Sequence, residues 1–334
     1  MTTLAELCSY RTSVNGNTRL GQRLLHFGTS LAASTKTSTA LLLGLLLLVS
    51  EPVRAQAEMV SIKWRSSAPV AWVPGNDYID GYTPNFKNAT VEEGGKTQKE
   101  GALAAELLMP KGMTGRRIPF VVLLHGCSGM TPSLKKWANE YGGRLVQAGY
   151  GVLVLDSFAT RGVTGNGICA DPSQLEWARR RTDDAYSALD WLIETGKADP
   201  KQVYVLGRSN GATTSLIIMN RKIGDVQKNM FAGAFVMQPS CLYMKNVEFY
   251  APVYLFLAEK DQATSPVLCS DMAKTKRPVA VQTKLWEGAT HGYQDRAPDR
   301  IEEIAGKQVN FAYNAAANEG TINAIVGILN SRKR

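Results

Sequence analysis

"VYVLGRSNGATTSLIIMN", residues 203–220, decides how this chain is read. An apolar run from Val203 to Leu206 strikes Gly207; Ser209 follows, then Gly211, then a stretch with helical patterning. A serine hydroxyl is a weak nucleophile and needs a base within reach. A sharp turn from strand to helix lifts it clear of its sheet, strains its backbone, and crowds the residues two before and two after, so both must be small. Gly207-Arg208-Ser209-Asn210-Gly211 has that form. The turn also sets Ser209 at a helix N-terminus, where unpaired N–H groups and the helix dipole favour negative charge. The bland alternative is a glycine-rich turn with an incidental serine. The buried strand before it and the helix after it favour the nucleophile.

Outward from this turn the chain alternates. "ALAAELLMP" (102–110), "IPFVVLLHG" (118–126), "GVLVLDSF" (151–158), "QVYVLG" (202–207), "FAGAFVMQ" (231–238), "PVYLFLAEKD" (252–261) and "VAVQTKLWEGATH" (279–291) read as strands, several of them continuously apolar as strands buried on both faces are. Helical patterns fall at 133–149, 174–196, 211–220 and 321–330. Such alternation predicts an α/β fold with a mostly parallel sheet, helices on both faces, and a ligand site beyond the carboxyl ends of the strands. Residues 101–334 read as one domain. Residues 58–100, rich in Gly, Pro, Asn and Thr, read as an irregular N-terminal arm, with Asn88-Ala89-Thr90 a glycosylation sequon by pattern.

Residues 1–57 read as a leader. Arg11, Arg19, Arg23 and Lys36 precede the apolar run "ALLLGLLLLV" (40–49), and Ala55-Gln56-Ala57 offers a small-x-small cleavage site. The alternative is a membrane anchor, but a spanning helix needs about 20 apolar residues, roughly twice this run. The expectation is export, to the periplasm or beyond, with no stable membrane insertion once the leader is cut. The whole chain carries a net charge of +9; without the leader 33 basic and 27 acidic residues remain, a scattered +6. No nucleic-acid motif accompanies that charge, so nucleic acid is not an expected partner. Four cysteines lie beyond the leader: Cys127, Cys169, Cys241 and Cys269. Four allow three pairings, and export favours disulfides. We expect Cys127 with Cys169 and Cys241 with Cys269, each joining loops at the carboxyl ends of neighbouring strands. The spacing fits no zinc pattern and no metal is expected.

A nucleophile–acid–histidine set needs a histidine beyond Ser209. Of three histidines, His26 lies in the leader and His125 precedes the serine, which leaves His291 in "EGATHGYQD". The acid belongs between Ser209 and His291 at a strand end. Asp261 in "LFLAEKD" is the candidate and Glu259 the alternative; Asp271 reads as a solvated helix residue. The oxyanion donors expected are the backbone N–H groups of Asn210, after the nucleophile, and of Cys127, in the loop after the 118–126 strand. Asp156 and Arg161 read as an ion pair shaping a loop, and Arg180, Arg181, Asp183 and Asp184 as a charge network on a helix face. Arg208 points either into the cleft or away from it.

"VVLLHGCSG", "GYGVLVLDSFATRG", "RTDDAYSALDWL", "VYVLGRSNGA", "LFLAEKD" and "ATHGYQD" together resemble the dienelactone hydrolase family of the α/β-hydrolase superfamily. The resemblance implies an eight-stranded α/β-hydrolase sheet, no metal, no organic cofactor, and a triad on Ser209, Asp261 and His291. The enzymes that name the family use a cysteine nucleophile; the serine here looks more like that of a general carboxylic-ester hydrolase. The expected activity is hydrolysis of a small-molecule ester through an acyl-enzyme in a cleft with at most a small lid. A peptidase or acyltransferase of the same fold, or a non-catalytic binding protein, are the alternatives.

Overall fold

The computed structural model describes residues 55–63, 91–93, 96–98, 101–163, 167–171 and 174–333. The leader up to Arg54 and the sequon at Asn88 lie outside them. The strands are β1 (Ala55–Lys63), β2 (Val91–Glu93), β3 (Lys96–Gln98), β4 (Ala102–Pro110), β5 (Ile118–Leu124), β6 (Gly151–Asp156), β7 (Ala198–Arg208), β8 (Ala234–Met237), β9 (Val253–Ala258), β10 (Val281–Trp286), β11 (Arg300–Ile304) and β12 (Lys307–Phe311). The helices are α1 (Pro132–Gln147), α2 (Gln174–Glu194), α3 (Asn210–Ile218), α4 (Arg221–Gly224), α5 (Pro266–Lys274) and α6 (Ala315–Ser331).

Eight strands form one sheet in the order β1-β4-β6-β5-β7-β8-β9-β10. The β1/β4 and β4/β6 pairs are antiparallel and the rest are parallel. This is the mostly parallel sheet of an α/β-hydrolase fold. Successive residues of a strand face opposite sides of its sheet. In β5, Phe120, Val122 and Leu124 join one core with Leu189 of α2 and Leu216 of α3. Val121 and Leu123 join the other, with Trp137 of α1 and Ile325 of α6. That double burial explains why the central strands read as unbroken apolar runs.

Local signals set several boundaries. Thr131 caps α1, its hydroxyl accepting from the Leu134 N–H, and Pro132 opens the first turn. Helix α6 starts six residues earlier than its periodicity suggests, at Ala315, with Asn314 as its cap. Gly320 interrupts the pattern because a β-carbon there would collide with the Trp286 ring.

The arm is not irregular throughout. Ala55–Lys63, spanning the expected cleavage site and the start of the arm, is strand β1, paired along its length with β4 from Ala55 opposite Pro110 to Lys63 opposite Ala102. It is an edge strand: Ile62 is buried and Met59 is exposed, so it carries little of the apolar signal that marks the inner strands. The short hairpin of β2 and β3 also belongs to this stretch. A second hairpin, β11 with β12, follows His291 in a segment to which the periodicity assigns nothing. Its two-residue turn is Ala305-Gly306, both at positive φ (49° and 75°), the backbone a tight β-hairpin requires.

Candidate active site

Ser209 sits between the last residue of β7 and the first of α3 with φ 53° and ψ −119°, a conformation costly for any residue but glycine. Its neighbours hold it there. The Ser209 N–H donates to the Met237 carbonyl at 2.9 Å, and its own carbonyl accepts from Ala212 and Thr213 at 2.9 and 3.0 Å. The two glycines have direct steric causes. A β-carbon on Gly207 would strike the Gly211 carbonyl, and one on Gly211 would strike the backbone carbonyls of Leu124 and His125. The elbow therefore packs backbone to backbone on the end of β5.

The structure brings Ser209, His291 and Asp261 into one hydrogen-bonded chain. His291 Nε2 lies 2.9 Å from Ser209 Oγ, and His291 Nδ1 lies 2.8 Å from Asp261 Oδ2. An ionised carboxylate only accepts, so Nδ1 carries the proton and Nε2 presents a lone pair to the serine hydroxyl. Asp261 is pinned in turn: Oδ1 accepts from the Ala263 and Thr264 N–H groups at 2.9 and 2.8 Å, and Oδ2 accepts from the Thr264 hydroxyl at 3.0 Å. The Phe311 ring meets the His291 ring edge-to-face at 5.6 Å. Glu259 points elsewhere, accepting from the Gly288 N–H at 2.8 Å, and Asp271 is an exposed residue of α5 paired with Lys274.

Asn210 is the first residue of α3, so its N–H has no acceptor within the helix. Cys127 follows β5 on the other side of Ser209, and a β-carbon on the intervening Gly126 would lie 3.5 Å from the serine Cβ. Cys127 lines the same cleft as Ser209. Cys127 is bonded to Cys169, and Cys241 to Cys269.

A cleft of about 250 Å³ opens over Ser209 and His291. It is lined by Gly126, Cys127 and Leu134 and by Ile304 and Phe311 of the β11–β12 hairpin. The hairpin tip leans on the disulfide loop, with the Ala305 N–H donating to the Cys169 carbonyl at 2.9 Å. Arg208 points into the cleft, its guanidinium 2.7 Å from the Asp295 carboxylate, and Arg300 donates to the same carboxylate at 3.0 Å. Burial opposes ionisation of Asp295, but Arg208, Ser133 and Arg300 outweigh it and hold the carboxyl at about 2. Arg300 also pairs with Glu302, so two guanidiniums meet two carboxylates beside the cleft.

The sequence model of the dienelactone hydrolase family matches residues 103–332. The chain belongs to that family. Among solved structures, a putative dienelactone hydrolase from Klebsiella pneumoniae subsp. pneumoniae MGH 78578 superposes with a TM-score of 0.52 at 12% identity, covering 74% of this chain and 98% of its own. A structure described as "m3DLH" gives 0.51 at 16% identity, covering 82% of this chain and 98% of its own. These likenesses establish the fold. A comparison with curated proteins finds no match.

Within this dienelactone hydrolase fold, two readings of the charged residues need correction. Arg161 pairs not with Asp156 but with Asp184, by two hydrogen bonds of 2.6 and 2.8 Å in a fully buried setting. Asp156 instead accepts from the Phe158 and Ala159 N–H groups at 2.9 and 3.0 Å, capping the turn after β6. The charges of α2 are not all on a solvated face either, since Arg181 and Asp184 have no exposed surface. Helical spacing of charges cannot distinguish an outward network from an inward one. His125 is also buried; desolvation, with the nearby Arg181 charge adding to it, keeps its pKa well below the usual value, so it is neutral. Its Nε2 accepts from the Ser157 N–H at 3.3 Å and its Nδ1–H faces the Gly126 carbonyl at 2.7 Å. It ties the loops after β5 and β6 together.

Proposed function

We propose that this family member is an exported serine hydrolase that cleaves carboxylic esters through an acyl-enzyme on Ser209. The observation that carries this reading is the chain Ser209 Oγ, His291, Asp261, with contacts of 2.9 and 2.8 Å, at the floor of an accessible cleft. Ser209 Oγ attacks the carbonyl carbon as His291 Nε2 takes its proton, and the carbonyl π pair moves onto oxygen. The N–H groups of Asn210 and Cys127 hold that oxyanion. Asp261 keeps His291 in the useful tautomer and stabilises its charged form. Collapse of the intermediate breaks the ester C–O bond, and the departing alkoxide takes the proton from Nε2. Water then attacks the acyl carbon while His291 takes its proton; expulsion of Ser209 Oγ, reprotonated by Nε2, releases the acid.

The small cleft capped by a short hairpin suits short to medium acyl groups. Export is supported by the leader pattern and by the two disulfides. The test is hydrolysis of a p-nitrophenyl ester series, acetate to palmitate, by wild-type protein and Ser209→Ala. The reading expects turnover of the shorter esters that the substitution abolishes. Folded protein inert towards every ester, or a variant as active as wild type, overturns it.

A further inference from the structure

Arg181 of α2 lies beneath the elbow, with no exposed surface. Its Nη1 donates to the Asn210 side-chain oxygen at 2.7 Å, and its Nη2 donates to the His125 carbonyl at 2.6 Å. Both acceptors are neutral, and among the described residues its Nε has no hydrogen-bond acceptor. Burial lowers its pKa to about 10, against the raising effect of Asp184 and Asp156, so the side chain is charged at neutral pH. Asp184 is already bound at both oxygens by Arg161. The Arg181 ion is therefore desolvated without a carboxylate of its own, an expensive arrangement for a group that only fills space.

The two acceptors indicate its purpose. Asn210 supplies the N–H next to the nucleophile. His125 lies at the end of β5, two residues before the Cys127 N–H. The remaining contacts close a ring around these donors. Asn210 Nδ2 donates to the Gln174 carbonyl at 2.9 Å, Gln174 Nε2 donates to the Cys169 carbonyl at 2.5 Å, and Cys169 is bonded to Cys127. Arg181 bridges the one gap in this circuit, between the β5 end and the elbow. A guanidinium offers two donors in a rigid planar fork, which an ammonium cannot.

We propose that Arg181 is a positioning residue for the oxyanion hole: its fork fixes the Asn210 and Cys127 N–H groups at the separation the tetrahedral intermediate needs. The inference rests on the serine-hydrolase reading above. An oxyanion exists only after attack, so loss of the fork affects the transition state and leaves ground-state binding nearly unchanged.

The test is p-nitrophenyl acetate hydrolysis by Arg181→Met, Arg181→Lys, Asn210→Ala and the Arg181→Met/Asn210→Ala pair, each rate divided by the fraction of Ser209 titrated with a fluorophosphonate. For Arg181→Met we expect kcat per titrated site to fall about 30- to 1,000-fold, the range for a disabled oxyanion donor, with KM within about threefold. Arg181→Lys recovers part of the loss. Asn210→Ala lowers kcat per site at least about tenfold, and the double variant is no worse than the weaker single one by more than about threefold, because the two act as a unit. A merely structural role gives the opposite pattern: fewer titratable sites and a lower Tm, but a per-site kcat within threefold of wild type. That outcome overturns the proposal. Should Arg181→Met not fold, Asn210→Ala decides, and an unchanged per-site rate there overturns it equally. A wild-type Ser209 that does not react with the fluorophosphonate removes the hydrolase reading itself and the clamp with it.

Discussion

The two walls of the cleft are built in opposite ways. One is the sheet wall, made by the carboxyl ends of β5 and β7 and the elbow between β7 and α3. Nearly every residue there is buried, and backbone lies against backbone closely enough to exclude a single methyl group at Gly207 or Gly211. The other is the β11–β12 hairpin. About half of its residues are exposed, and beyond the packing of Ile304, Val309 and Phe311 on the Cys127–Cys169 region it is held by a few polar contacts. Among these are the Ala305 N–H to the Cys169 carbonyl, the Asn310 N–H to Gln262, and Arg300 to Asp295. The difference separates two tasks. Bond-making groups need positions fixed to a fraction of an ångström, which a close-packed sheet end provides. A hairpin on a few contacts can change the side chains that do not touch Ser209, His291 or Asp261, such as Ile304, and so the substrates it admits; Phe311, whose ring packs on His291, is the exception.

If that division is right, the largest effect belongs to the sheet wall's partner residue. His291→Ala removes the base that contacts Ser209, and kcat for a short ester should fall at least about 10⁴-fold with the fold intact by circular dichroism. The disulfides come next and sharpen the contrast. Chain entropy for loops of 42 and 28 residues predicts a stability loss of about 4 kcal/mol for removing either bridge. Only the loss of Cys127–Cys169 should also lower kcat per titrated site, because that bridge anchors the proposed oxyanion donor and receives the hairpin tip. Equal kinetic effects from both bridges would break the comparison.

The cleft floor predicts an acid limb. Asp295 sits at about 2 in the folded chain against about 3.9 unfolded. The unfolded state thus binds its proton first as pH falls. About 2.5 kcal/mol of stability, complete above pH 4 to 5, should be lost as pH drops towards 2, and Asp295→Asn should flatten that part of a denaturation profile. His125 adds a slope of the same sign that begins at higher pH, below its unfolded pKa, since its folded form stays neutral. The smallest effect belongs to the hairpin. Ile304→Ala should shift KM for the longer acyl chains by up to about tenfold and leave kcat for acetate within twofold.

The same contrast explains what could be read in advance. The elbow is legible because its demands are local: two glycines at fixed spacing answer clashes with backbone only a few residues or one strand away. Ser209, Asp261 and His291 stand at strand ends in an order their connections enforce, and the structure places them together. Cys127 and Cys169 likewise mark loops that the parallel order brings side by side. The hairpin is not legible, because in "RIEEIAGKQVNF" Arg300 and Glu302 are half-buried while Ile301 is exposed, and the turn is Ala-Gly rather than a strong turn pair such as Asn-Gly. Strand β1 is hidden for a related reason: at an edge, one buried isoleucine suffices. Arg181 is least legible of all. On a helical wheel it is one more charge among Arg180, Asp183 and Asp184, and only the tertiary packing of α2 against the elbow turns it inward.

The central claim is that Ser209 carries the acyl group. Acid-quenching the protein during turnover of a p-nitrophenyl ester, followed by peptide mapping by mass spectrometry, tests it directly. An acyl mass increment is expected on the peptide containing Ser209 and absent from Ser209→Ala. Turnover with no adduct on that peptide, or with the adduct on another residue, would contradict it.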